Sequence, residues 1–300
     1  MKNKNSLICF YLALTIFSCE KKSVNSEIDL YQKDNTFYEK YINKPFTGLT
    51  FSNYSNGQKR NSGSLIEGKK SGLWKFWFED GNIKSNENYK NGLLSGERIL
   101  WHGNNKFKLK CFYNDGVLEG LQTEWFENGN KKEQGSFKNG LFDGQWTSWF
   151  NDGEKKAEGV YKKGEATGIH IQWHFDGKIK SKAKFSAGKI DGLRTEWYVN
   201  GQKKEEGTLE GFWTSWHQNG EKESEGRIIR QKPEGEHAIW YDNGQIRSKV
   251  NFKDGKPSGS SIEWYKNGQK REEGYNKNGI RIGQWTFYLQ DGSLDGTEEY

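Results

Sequence analysis

A glycine recurs every 24 residues through most of this chain, at Gly48, Gly72, Gly96, Gly120, Gly144, Gly168 and Gly192. After one step of 19 residues the period resumes at Gly211, Gly235, Gly259 and Gly283. Eleven units result, the seventh shortened by five residues and the last incomplete at Tyr300. A period in this range marks a repeat architecture, in which each unit buries its apolar surface only against its neighbours.

Positions are counted here from each leading glycine as position 0. Position 5 is tryptophan in nine units: Trp77, Trp101, Trp125, Trp149, Trp173, Trp197, Trp216, Trp240 and Trp264. Positions 8 and 9 read Asn-Gly or Asp-Gly in ten units, as at Asn128-Gly129 and Asp152-Gly153. Position 17 is usually a large aromatic (Tyr89, Tyr113, Phe137, Tyr161, Phe185, Phe252), and a second glycine closes most units at position 20. Asn-Gly between aromatic-rich runs signals a two-residue type I′ hairpin. Each unit is therefore expected to be two antiparallel strands, over about positions 1–7 and 10–18. Position 20 and the next leading glycine would lie in the connection to the following unit.

A two-residue turn makes cross-strand partners sum to 17. Trp146 at position 2 then faces Gly159 at position 15, a ring covering a bare glycine. The tryptophan at position 5 faces position 12, which is basic in nine units, including Lys132, Lys156, Lys180 and Lys204. The fold class expected is all-β: an elongated antiparallel β-meander of tandem 24-residue, two-stranded repeats, forming a single-layer sheet. Composition agrees, since only 32% of residues are apolar while Trp, Tyr and Phe alone make up 15%. That is too aromatic for disorder and too poor in aliphatics for a thick core.

The first residues read as a targeting segment. Lys2 and Lys4 precede an apolar run ending in Ile16-Phe17-Ser18-Cys19, which resembles a bacterial lipoprotein signal. The expected organisation is a signal peptide over 1–18 with lipid on Cys19, a tether over 19–34, a half-repeat cap over 35–47 containing Phe37, Tyr41 and Phe46, and repeats over 48–300. The chain would then be exported and lipid-anchored at the cell envelope. Cys9 would leave with the signal, so Cys111 has no partner for an intrachain disulfide and is expected to be a small packed residue.

The run from Gly144 to Gly164, Gly-x-Trp-x-x-Trp-Phe-x-Asp-Gly-x-Lys-Lys-x-x-Gly-x-Tyr-Lys-x-Gly, resembles the MORN-repeat variant. Proteins built from it are often labelled YwqK-family toxin–antitoxin antitoxins. The resemblance implies a twisted antiparallel sheet used for protein or membrane contact, with no catalytic residues. Export runs against an antitoxin of a cytosolic toxin; that role would require a partner toxin in the envelope.

No catalytic, cofactor or metal site is expected. His102, His174 and His217 fall at position 6, where other units carry Phe or Tyr. His170 and His237 fall at position 2, where others carry Trp. All five read as aromatic substitutes. The carboxylates recur with the period too, which describes a solvated face rather than a paired acid and base. Removing Lys2 and Lys4 leaves 44 basic against 40 acidic side chains, too even a balance for nucleic acid.

The candidate surface is thus the tryptophan row at position 5 with Lys132, Lys156, Lys180 and Lys204. It suits an extended protein partner, since interface energy concentrates on aromatic and Arg side chains. An envelope glycan or an anionic lipid is the alternative ligand. The same rings can equally be the core of a thin sheet, covered by lysine stems. The shortened seventh unit is expected to show a bend or an altered connection.

Overall fold

The computed structural model describes residues 23–300. The expected signal peptide and the lipidated Cys19 lie outside the described residues. Every regular element among them is a strand. The described residues divide into two compact units, one ending at Leu93 and the other spanning Leu94–Tyr300.

In the first unit, β1 (Ser23–Asn25), β2 (Leu30–Lys33) and β3 (Thr36–Glu39) precede β4 (Gly48–Asn53), the first strand of the repeats. Residues 23–33, expected as tether, are part of the fold. β1 pairs in parallel with β4, Val24 opposite Thr50, and so covers an edge that would otherwise expose unpaired backbone groups. Val24 and Leu30 are buried with Phe46, Leu65 and Trp74, and Phe37, Phe76 and Tyr89 pack against them. Val24 and Leu30, inside the expected tether, thus supply part of this small core. Of the three aromatics in the expected cap, Phe37 and Phe46 join that core, whereas Tyr41 is exposed.

In the second unit consecutive strands pair antiparallel, in chain order, from Leu93–Trp101 to Leu294–Glu299. The fold is an all-β meander of tandem repeats. The fifth repeat shows the pattern: Leu141–Trp149 runs from position −3 to 5, and Lys155–Lys162 from 11 to 18. Partners sum to 17 from Gly144–Tyr161 through Ser148–Ala157, including Trp146–Gly159. The register then slips, and Trp149 pairs with Lys155 at position 11.

The slip follows from the turn. Gly153 N–H donates to Phe150 O at 3.0 Å, and Phe150 N–H donates to Glu154 O at 2.8 Å. This is a three-residue loop, Asn151-Asp152-Gly153, in which only Gly153 has positive φ (+100°). Such a loop is a type I turn closed by a glycine bulge, so the Asn/Asp-Gly pair does not make the expected type I′ turn. The type I′ turns lie at the other end of the hairpins, where both central residues have positive φ, as at Asn139 (+52°) and Gly140 (+77°). The leading glycine is accordingly not in a connection. Gly144 (φ +124°) sits inside its strand, in a bulge that sets Asp143, Gly144 and Gln145 against Ser136 alone.

The seventh repeat has an altered connection. Lys203–Gly207 passes through Thr208, Leu209 and Glu210 directly into Gly211–Trp216, without the bulge or the type I′ tip. The pairing of Gly207 with Trp213 is retained.

Candidate interaction surface

Two kinds of ring separate by position. Rings at position 2 lie over the position-15 glycine of the preceding repeat. A Cβ built on Gly63 would overlap the Trp74 indole, on Gly159 or Gly226 the His170 or His237 imidazole, and on Gly207 or Gly274 the Trp213 or Trp285 indole. A Cβ on Gly135 would come within 3.1 Å of Trp146. Where position 2 carries no ring, position 15 carries a side chain: Cys111 precedes Gln122, Ala183 pairs with Arg194, and Val250 pairs with Ser261. Cys111 is thus a buried residue in a glycine slot, as its expected packing role requires. The ring nitrogens complete the lock. Trp74 donates to Ser64 O (3.0 Å), His170 to Val160 O (3.0 Å) and His237 to Arg227 O (2.8 Å).

The nine tryptophans at position 5 are all half-buried, and Lys132, Lys156, Lys180 and Lys204 are exposed. Over five of the nine tryptophans lies a cation, and it comes from position 11 of the preceding repeat, not from position 12. Lys131 Nζ lies 5.6 Å from the Trp149 ring, Lys155 5.7 Å from Trp173, Lys203 5.5 Å from Trp216 and Lys222 5.3 Å from Trp240. Each such contact stabilises by about 0.5–1 kcal/mol at an exposed site. In the third repeat Phe107 takes the lysine's place and stacks between Trp101 (5.9 Å) and Trp125 (5.6 Å).

The same lysines are held by position 14. Lys155 pairs with Glu158, Lys203 with Glu206 and Lys222 with Glu225, all within 2.9 Å. The hydrogen bond from Lys203 holds the Glu206 carboxyl below the usual carboxylate range. Position 12 serves other partners: Lys132 pairs with Glu124 at 2.9 Å, and Lys156 lies 5.9 Å from the Phe150 ring. The third loop residue shifts the backbone partner of Trp149 from position 12 to Lys155 at position 11 of its own hairpin. The cation over its ring is Lys131 of the preceding repeat, so the expected stacking of Trp at 5 with Lys at 12 is not made. The two sets still share a groove of about 480 Å³, lined by Trp149 and Trp173 together with Lys132, Lys156 and Lys180.

The histidines at position 6 do what tyrosines do elsewhere. His102, His174 and His217 donate from Nε2 to the carbonyls of Trp125, Trp197 and Trp240 in the next repeat, at 2.9–3.0 Å. Tyr198, Tyr241 and Tyr265 make the same bond from their hydroxyls. His174→Phe should therefore lose about 1 kcal/mol, whereas His174→Tyr should be near neutral. Denaturant midpoints of the two variants check this.

Neighbouring asparagines run a second ladder. Asn128 Oδ1 accepts from Asn130 N within its own turn, while its Nδ2 donates to Asn151 O of the next at 2.6 Å. At the opposite hairpin end, Asp143 accepts from Lys163 N, and Phe142 O accepts from Gly164 N. Sequence reading missed the position-11 lysines and both ladders. The variation of position 11 between Lys and Ile or Phe, matched in seven repeats by Glu or Lys at 14, was the available signal. Among the described residues no group of three or more His, Cys, Asp or Glu could hold a metal ion.

No curated protein matches the chain. Among solved structures, chains in the crystal structures of TcdB2-TccC3 and TcdB2-TccC3-Cdc42 match with 10% identity and TM-scores of 0.19 and 0.18. The match covers 88% of this chain and 18% of each of those, so this chain spans under a fifth of their length. A likeness at that score carries no argument. Residues 70–91, 118–139 and 233–254 match the family model of the MORN repeat variant. Each segment begins two residues before a leading glycine and ends on the first residue of a type I′ turn, so the family's unit is one hairpin of this meander. The chain carries MORN repeat variants in tandem.

Proposed function

We propose that this chain is a non-enzymatic scaffold that binds a protein partner along its tryptophan row, held at the cell envelope by lipid on Cys19. The observation that carries this reading is the groove in which Trp149 and Trp173 lie with Lys132, Lys156 and Lys180. Its tryptophans are half-buried, Trp149 under Lys131, which donates to the Gln134 amide oxygen, and Trp173 under Lys155, which pairs with Glu158. A partner therefore meets preset aromatic edges, with little side-chain freedom left to lose.

The test is cross-linking and co-purification of tagged full-length protein from native membranes, beside a folded variant with Trp125, Trp149 and Trp173 changed to Ala. A specific protein is expected with the native chain and reduced at least about tenfold with the variant, as for loss of central aromatic anchors. Equal recovery with both would remove the tryptophan row from the interface. Recovery of no specific protein from a correctly membrane-bound chain would overturn the protein-partner reading in favour of a glycan or an anionic lipid.

A further inference from the structure

The repeats build one aromatic cage several times and close it in different ways. Two residues before Gly72, Lys70 places its Nζ 4.6 Å from the Trp74 ring, 5.0 Å from Phe76 and 4.8 Å from Tyr89. Two residues before Gly283, Arg281 places its guanidinium 3.8 Å from Trp285, 5.7 Å from Phe287 and 5.6 Å from Tyr300. Both sets of rings occupy positions 2, 4 and 17, and both cations occupy position −2. In the fifth repeat position −2 is Phe142, whose ring packs 5.4 Å from Tyr161 and 4.3 Å from Phe137.

In the sixth repeat position −2 is Ala166, whose methyl group is too small to fill the same slot. A pocket of about 460 Å³ lies there instead. Four rings line it: His170 and Phe185 at cage positions 2 and 17, and Trp146 and Tyr161 of the preceding repeat. They are contiguous, with Trp146–Tyr161 centroids 6.1 Å apart, Tyr161–His170 5.2 Å and His170–Phe185 4.8 Å. Glu158, paired with Lys155, and Glu196, paired with Arg194, also line the pocket with that arginine. Arg194 is engaged on two sides, by Glu196 and, at 3.6 Å, by Glu205.

We propose that the Ala166 pocket receives a cationic side chain, lysine or arginine, from a partner protein. Ring faces attract cations most strongly where water is excluded. The chain itself shows which guest rings at positions 2 and 17 take, since Lys70 and Arg281 lie over them elsewhere, with a third ring at position 4 where the sixth repeat has Gln172. The pocket does not depend on the tryptophan row, because none of the position-5 rings lines it.

The test reads the imidazole resonances of the full chain, where only five histidines contribute. The probes are the N-acetyl methylamides of lysine and arginine, with that of norleucine as the uncharged comparator. The His170 signal is expected to shift saturably with the cationic probes, at least about fivefold more tightly than with norleucine. Ala166→Lys and Ala166→Phe copy side chains that the second and fifth repeats already carry at this position, and both should abolish the shift. The absence of a saturable shift, equal binding of norleucine, or a shift that survives in both variants would each overturn the proposal.

Discussion

Valine at Gly159 is expected to destabilise the protein by about 3 kcal/mol, the upper range for overpacking a filled site. The added carbon atoms would occupy the space of the His170 imidazole. That ring would have to leave both its glycine and the carbonyl of Val160 to which it donates. The informative measurement is the double variant, Gly159→Val with His170→Ser. It reproduces a pair the protein already uses, Val250 opposite Ser261. If ring and glycine form one lock, the second change should recover about 1–2 kcal/mol of the loss, the coupling usual for residues in contact. Strict additivity in denaturant unfolding would show that the ring is merely near the glycine and not seated on it.

The second large effect separates two tryptophans three residues apart. Trp74→Ala should cost about 4 kcal/mol, as for a fully buried aromatic, since only 3% of Trp74 is exposed and Leu65, Phe46 and Leu30 pack around it. Trp77→Ala should cost about 1 kcal/mol, within the common range for substitutions outside the core, because Trp77 is half-buried and its cation, Lys59, lies 5.9 Å away. Hydrogen exchange at the amides of Gly63 to Leu65 gives the comparison. Equal losses would mean that the position-5 row is as much core as the position-2 rings, and would weaken the binding role proposed for it.

That distinction bears on what could be read from the residues alone. The period, the meander and the hairpin register near Gly144, with Trp146 opposite Gly159, follow from spacing, because side chains on strands alternate. Which glycine each ring covers did not, since His170 and not Trp146 lies over Gly159. The turn assignment did not follow. Asn-Gly serves both a two-residue loop and a three-residue loop, and the two differ in whether the asparagine must take positive φ. Choosing the shorter loop placed Lys132 opposite Trp125 of its own repeat, where the register puts Lys131, and it gave no sign that Lys131 reaches the next repeat's Trp149. The amino-terminal strands were illegible for another reason. Val24 and Leu30 carry no period, and their burial depends on β4, more than fifteen residues further on. The cage at position −2 was hidden by averaging, since Lys70, Phe142, Ala166 and Arg281 look like variation until their shared rings are seen.

The seventh repeat indicates how a chain of this kind can change length over evolutionary time. Five residues are gone, yet the strands on both sides keep their partners and Gly207 still receives Trp213. The missing segment is the outermost part of a hairpin, beyond the last ring-on-glycine contact. Its removal forfeits the outermost ladder pairs and the capping bonds, which between the fourth and fifth repeats are Phe137 with Phe142, Lys138 with Leu141, and the bonds that Asp143 and Phe142 accept. A deletion at the Asn-Gly end would instead remove the bonds by which each turn holds the next, such as Asn128 to the Asn151 carbonyl. Insertions and losses among related chains should therefore gather at one margin of the sheet, leaving the other uniform in length, and a designer seeking to splice in a new segment should choose the margin that has already been trimmed.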